Sequence, residues 1–130
     1  MNTQLGRIFC IDDEDDILQV LQLSLETVGG FDVTCCNDPV EAVEKVADAD
    51  PDLIILDVMM PGMDGPTTLS ALRRKPELQR IPIVFMTARA QQEDIDSYIA
   101  LGAAGVITKP FDPMTVSEQV EKLWTGTGHG

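Results

Sequence analysis

The sequence predicts an α/β domain: a five-stranded, doubly wound parallel sheet in the order 2-1-3-4-5, with helices on both faces. Three observations predict it. Short apolar runs alternate five times with amphipathic helical patterns, the succession that builds β-α units around a parallel sheet. Three of the runs are apolar throughout, at residues 8–11, 53–56 and 83–86, as strands covered on both faces should be. The chain is 130 residues long, the size of one domain, and right-handed crossovers then favour the doubly wound order.

Ile8-Phe9-Cys10-Ile11 forms the first strand. Ile17, Val20, Leu21, Leu25 and Val28 follow at helical spacing, and Gly29-Gly30 stops that helix. Phe31, Val33 and Cys35 alternate in a second strand, more polar and therefore placed at an edge. Asp38-Pro39-Val40-Glu41 opens the second helix with an N-cap, a first-turn proline and a capping-box acid, and Val40, Val43 and Val46 mark its inward side. After the Asp48-Ala49-Asp50-Pro51 break, Leu53-Ile54-Ile55-Leu56 is a third strand ending at Asp57. Pro61-Gly62 and Gly65-Pro66 lead into a helix with Leu69 and Leu72 inward. Pro76 and Pro82 bound the next loop, and Ile83-Val84-Phe85-Met86 is a fourth strand ending at Thr87. Ile95, Tyr98 and Ile99 are expected inward on a fourth helix, ended near Gly102. Val106-Ile107-Thr108 is the fifth strand, stopped by Lys109-Pro110, and Asp112-Pro113 opens a last helix burying Val116, Val120 and Leu123. The domain is expected over residues 1–124, with 125–130 a flexible tail or the start of a linker.

Composition excludes several classes. The 44% apolar content is that of a soluble globular chain. A net charge of −13 disfavours direct contact with nucleic acid or an anionic membrane. The basic run Arg73-Arg74-Lys75 reads as a solvated helix end. Three cysteines and no signal peptide point to reduced thiols in the cytoplasm. Cys10 reads as a small buried hydrophobe, and a redox role for the neighbours Cys35-Cys36 is the weaker alternative to plain packing. No apolar run reaches membrane-spanning length. His129, the single histidine, sits in the glycine-rich end without an evident partner.

Four strand ends carry chemistry: Asp12-Asp13, Asp57, Thr87 and Lys109. A parallel sheet brings these ends to one edge, where ligands of such sheets bind beside the switch point between strands one and three. Asp57 closes a wholly apolar run, where a carboxylate is costly unless paired or metal-bound. In "IDDEDD", residues 11–16, Glu14, Asp15 and Asp16 can satisfy the helix dipole, which leaves Asp12 and Asp13 surplus beside Asp57. Three converging carboxylates raise each other's pKa. A divalent cation relieves this, and Mg²⁺ suits hard oxygen ligands with few carboxylates. A carboxylate can attack phosphorus to form an acyl phosphate, with Mg²⁺ and Lys109 offsetting the developing charge.

These stretches, "IDDEDD", "PDLIILDVMMPGMDG", "IPIVFMTA" and "GAAGVITKPF", resemble the receiver domain of two-component response regulators, of the chemotaxis-regulator type, from about Arg7 to Leu123. The resemblance implies the flavodoxin-like 2-1-3-4-5 fold. It implies phosphorylation by a histidine kinase or histidine phosphotransfer protein, and control of a downstream protein, a fused output domain or a phosphorylation-dependent homodimer. By position Asp57 matches the phospho-acceptor. Asp13 matches a direct Mg²⁺ ligand, Asp12 a ligand through water, and the Met59 backbone carbonyl a further ligand. Thr87 matches the switch hydroxyl and Lys109 the phosphate-contacting lysine, with a cis bond to Pro110.

Val106 departs from the pattern, since many receivers carry Tyr or Phe there, a ring that swings when the switch threonine moves. With valine, the surface of helix 4, strand 5 and helix 5 would change through loop and helix shifts. Met59 and Arg89 match positions that tune acyl-phosphate lifetime. They offer no base for water, which favours a longer-lived phosphorylated state. Three other readings compete with this one. A Mg²⁺-dependent Asp-nucleophile phosphatase usually resembles D-x-D, whereas Val58 and Met59 follow Asp57. A flavin-binding protein needs phosphate donors where five acids stand. An unphosphorylated receiver-like interaction module stays open as the alternative.

Overall fold

The computed structural model describes residues 4–129, at 128 and 129 the backbone only. Five strands, β1 (Arg7–Ile11), β2 (Asp32–Cys36), β3 (Leu53–Asp57), β4 (Ile83–Thr87) and β5 (Gly105–Thr108), alternate with α1 (Asp15–Thr27), α2 (Pro39–Ala49), α3 (Gly65–Arg73), α4 (Gln92–Ala100) and α5 (Val116–Trp124). A 3₁₀ turn, Pro76–Leu78, precedes β4, and a π-helical turn, Thr125–His129, follows α5. All pairings are parallel, in the order β2-β1-β3-β4-β5, as the sequence predicts. The expected tail runs past the described residues at Gly130, and the side chain of His129 also lies outside them.

Strand side chains alternate between two core layers. Ile8, Cys10, Leu53, Ile55, Val84 and Met86 pack beneath α1 and α5, against Leu21, Leu25, Val116 and Val120. Phe9, Ile11, Ile54, Leu56, Ile83 and Phe85 pack on the other face, against Ala42, Val46, Leu69 and Leu72. The period of two separates the layers, and burial on both sides explains why the central strands carry no polar residue before their ends. β2 has one fully buried residue, Val33, consistent with its edge place.

Several expected core positions fall elsewhere. Val20, Val28, Val40 and Ile99 are exposed. In α1 the buried set is Leu18, Leu21, Ser24 and Leu25, one helical stripe; Val20 is two residues from Leu18, about 200° round the helix. In α2 the small Ala42 faces the sheet, which places Val40 on the outside by the same geometry. Among the described residues α4 fully buries none; its anchor is the half-buried Tyr98, edge-on to Phe85 with ring centroids 5.4 Å apart. Leu123 is half-buried while Trp124 is buried, and a Cβ on Gly105 would collide with Leu123.

Arg73 corrects the reading of the basic run. Its Nη1 donates to the carbonyls of Leu78 and Ile81, each at 2.7 Å, so it pins the loop before β4 rather than facing solvent. Among the described residues no helix is long and apolar enough to cross a membrane.

Candidate functional site

Each candidate side chain is placed by a backbone bond just beyond its strand. The Asp12 amide donates to Cys36 O at 3.3 Å, Val58 N to Met86 O at 3.1 Å, and Lys109 N to Thr87 O at 2.8 Å. These bonds extend the ladders by one step and fix the carboxyl ends of β1, β3, β4 and β5 in one row. The peptide bond from Lys109 to Pro110 is cis.

The acidic stretch divides as its two tasks require. Asp12 is buried and Asp13 half-buried, whereas Glu14, Asp15 and Asp16 are exposed at the start of α1. Asp12 Oδ1 accepts from the Glu14 amide at 2.9 Å. Asp12, Asp13 and Asp57 each present an oxygen, and these three lie within 4.8 Å of one another. Lys109 closes the cluster, its Nζ 2.9 Å from Asp12 Oδ2 and 3.0 Å from Asp57 Oδ1. Glu14 stands further off, at 4.0 Å.

Charge is not balanced here. Three carboxylates face one ammonium, and Asp12 Oδ2, Asp13 Oδ1 and Asp57 Oδ2 are buried without a hydrogen bond among the described residues. Lys109 Nζ engages Asp12 Oδ2 as an ion pair, which leaves Asp13 Oδ1 and Asp57 Oδ2 as the oxygens without a partner among the described residues. Orphaned carboxylate oxygens cost free energy unless something binds them, and three hard oxygen donors in one cup fit a divalent cation of the Mg²⁺ kind. Burial pushes the Asp57 carboxyl up to about 6, with Asp12's charge adding to it, against the lowering by Lys109 and by the Met59 amide. Burial pulls Lys109 down, but pairing with Asp12 and Asp57 outweighs it and the net shift is upward.

The segment after Asp57 is shaped to leave the cup open. Asp64 caps α3, accepting from Thr67 N at 2.9 Å, so Asp57 is free of that task. Gly65 N donates to Val58 O at 2.9 Å, and a Cβ on Gly65 would stand 2.8 Å from Val58 Cα; only glycine lets α3 start so near the strand end. Met59 is exposed at 67%, its amide turned to the Asp57 carboxylate.

Thr87 is buried at the end of β4, and its Oγ1 accepts from Arg89 N at 3.0 Å. The hydroxyl thus holds the loop into α4, a bond that sequence reading did not anticipate. Its own proton remains free to donate. Val106 is half-buried beside its register partner Phe85, against whose ring Tyr98 of α4 packs edge-on. A concavity of 420 Å³ lies away from the cup, between α1 and α2 beside β2.

Comparison with known proteins agrees with this geometry. The response regulator receiver domain family matches residues 8–121. The alkaline phosphatase synthesis transcriptional regulatory protein PhoP of Bacillus subtilis (strain 168) is 38% identical over 117 residues, which is 90% of this chain and 48% of that protein. The chain therefore spans about half the length of this relative. Among solved structures, the chemotaxis protein CheY4 of Vibrio cholerae superposes with a TM-score of 0.84 at 30% identity, covering 92% of this chain and 99% of that one. A signal receiver domain of a histidine kinase from Syntrophus aciditrophicus gives 0.78 at 31% identity, covering 93% and 91%.

Proposed function

The chain belongs to the response regulator receiver domain family, a regulatory domain of two-component signalling, and we propose that Asp57 is its phospho-acceptor, with Mg²⁺ held by Asp12, Asp13, Asp57 and the Met59 carbonyl. The donor is a histidine kinase or histidine phosphotransfer protein. The observation that carries this reading is the cup itself: Lys109 bridges Asp12 and Asp57 while Asp13 Oδ1 and Asp57 Oδ2 are buried with no hydrogen bond among the described residues.

A carboxylate oxygen of Asp57 attacks phosphorus, the P–N bond of the phosphohistidine breaks, and the imidazole leaves with the electron pair. Even raised to about 6, Asp57 is mostly ionised at neutral pH and so is nucleophilic. When bound, Mg²⁺ supplies the double positive charge that offsets the carboxylates and the transferring oxygens. Lys109 already touches the Asp57 carboxylate and contacts a phosphoryl oxygen as charge builds there. Phosphorylation adds about −1.5 to −2 charges. The Thr87 hydroxyl proton answers that charge, and because Thr87 also holds Arg89 N, its movement draws the loop into α4. With Val106 in β5, this loop path replaces a ring swing, and the surface of α4, β5 and α5 changes.

That surface then controls a downstream protein, a fused output domain or a second phosphorylated copy, in the cytoplasm, without direct contact to nucleic acid or membrane. The domain catalyses only its own phosphoryl transfer and dephosphorylation. Incubation with Mg²⁺ and a small acyl phosphate, read by intact mass, tests the proposal. One phosphoryl group should be gained, and lost with EDTA or with Asp57→Asn. No gain would favour an interaction module that is never phosphorylated.

A further inference from the structure

Cys35 and Cys36 are neighbours in sequence, yet the strand turns them to opposite faces. Cys35 packs against the core layer beneath α1, and Cys36 against the layer on the other side. The thiol that meets Cys35 comes from the next strand: Cys10 is its register partner across the β1–β2 pair and is fully buried in the same layer. Parallel neighbours place their Cα atoms about 4.8 Å apart, inside the span that a disulfide accepts. All three cysteines are free thiols.

The two thiols differ in access. Cys10 has no exposed surface. Cys35 is half-buried and lines the 420 Å³ concavity between α1 and α2. Hydrogen bonding with Cys10 holds the Cys35 thiol below its ordinary value, against burial and the charge of Glu26, which raise it. A half-exposed thiol of this kind with a second thiol beneath it has the arrangement of an attacking and a resolving cysteine.

We propose that Cys35 and Cys10 form an oxidisable dithiol, a modification site for a small neutral peroxide entering from the α1–α2 concavity and leaving a reversible Cys10–Cys35 disulfide. The Cys35 sulfur attacks one peroxide oxygen, the O–O bond breaks, and the departing hydroxide takes the thiol proton as water, giving a sulfenic acid. The Cys10 sulfur then attacks the Cys35 sulfur. The S–S bond forms, the S–O bond breaks, and the hydroxide leaves as water with the Cys10 proton. Two thiols are oxidised and one peroxide is reduced to two waters.

The folded full chain, treated with hydrogen peroxide and quenched with an alkylating reagent, tests this. The expected result is an intact mass of the chain less two hydrogens with a single alkyl adduct, on Cys36, together with a Cys10–Cys35 cross-linked peptide in a non-reducing digest and full reversal by dithiothreitol. Cys36→Ser should keep the cross-link and Cys35→Ser should abolish it. A bridge through Cys36, a disulfide-linked dimer, Cys35 stopping at a sulfinic acid with Cys10 still alkylatable, or no oxidation would each overturn the proposal. The map of the unsubstituted protein decides the matter even where a variant folds poorly.

Discussion

Lys109 Nζ stands 3.0 Å from Asp57 Oδ1 and 2.9 Å from Asp12 Oδ2, so one ammonium holds two buried carboxylates at the ends of different strands. Replacing it by methionine keeps the stem and removes the charge. Breaking a buried pair by removing one partner typically costs about 3–5 kcal/mol. Lys109→Met should therefore lower the urea midpoint, and added Mg²⁺ should recover part of the loss. Phosphoryl uptake from an acyl phosphate should fall at least about tenfold, the scale of one lost charge-assisted contact. Unchanged stability without metal would mean that water already screens the pair.

Asp57 gives a pH dependence of unusual sign. Its carboxyl is raised from 3.8 to about 6, chiefly by burial, so between those values the folded state binds more protons than the unfolded one. Stability then falls as pH rises through this window, opposite to a carboxylate whose pKa is lowered on folding. Asp57→Asn removes the buried charge and should raise stability at pH 7 in metal-free buffer by on the order of 1–3 kcal/mol. The gap should close below pH 4 and shrink on adding Mg²⁺. Thermal unfolding at several pH values checks it, and an equal gap at every pH would contradict the assignment.

Much of this site was legible in the sequence, because a parallel sheet converts strand ends into neighbours. Asp12, Asp13, Asp57, Thr87 and Lys109 needed only correct strand boundaries to be brought together. Helix faces were less legible. Val20 and Val40 are apolar enough to suggest a core, yet the stripe is set by Leu18 and Ala42, and a single sequence offers several overlapping stripes. Long-range pairing was legible least of all. Cys10 and Cys35 meet through the β1–β2 register, and Arg73 finds its carbonyls through a loop; no local spacing encodes either contact.

Gly65 tests how the strand end is kept open. An alanine there would set its Cβ 2.8 Å from Val58 Cα and 3.1 Å from Asp57 O, contacts with backbone that cannot yield locally. Gly65→Ala should cost about 1–3 kcal/mol and weaken Mg²⁺ binding by displacing the segment from Asp57 to Met59. Metal titration followed by calorimetry measures the second effect. Affinity equal to the parent, with lowered stability, would restrict Gly65 to packing.

The Thr87–Arg89 bond predicts a separation of chemistry from response. Thr87→Val removes both the acceptor that holds Arg89 N and the proton offered to the phosphoryl group. Phosphorylation should persist, since the nucleophile and Lys109 remain. The change in amide exchange over residues 88–101 on adding acyl phosphate should be lost, and Thr87→Ser should restore it. If the valine variant still shows the full change, the loop path through Arg89 is not the route.

Met59 and Arg89 bear on how long the signal lasts. Hydrolysis of an acyl phosphate needs a water lined up behind phosphorus and a group to take its proton. Met59 lies two residues past Asp57, exposed at 67%, and its thioether is a weak acceptor that cannot serve as a base. Arg89 is tied by its amide to Thr87, and its guanidinium offers donors and no acceptor, so it attracts the phosphoryl group without activating water. The phosphorylated chain should then persist for minutes or longer in the absence of a phosphatase. Met59→Glu places a carboxylate at the mouth of the cup and should shorten that lifetime severalfold, measured as decay of the phosphorylated mass after the donor is removed. Decay of the parent within seconds, or no change with glutamate, would place the control of hydrolysis elsewhere in the site.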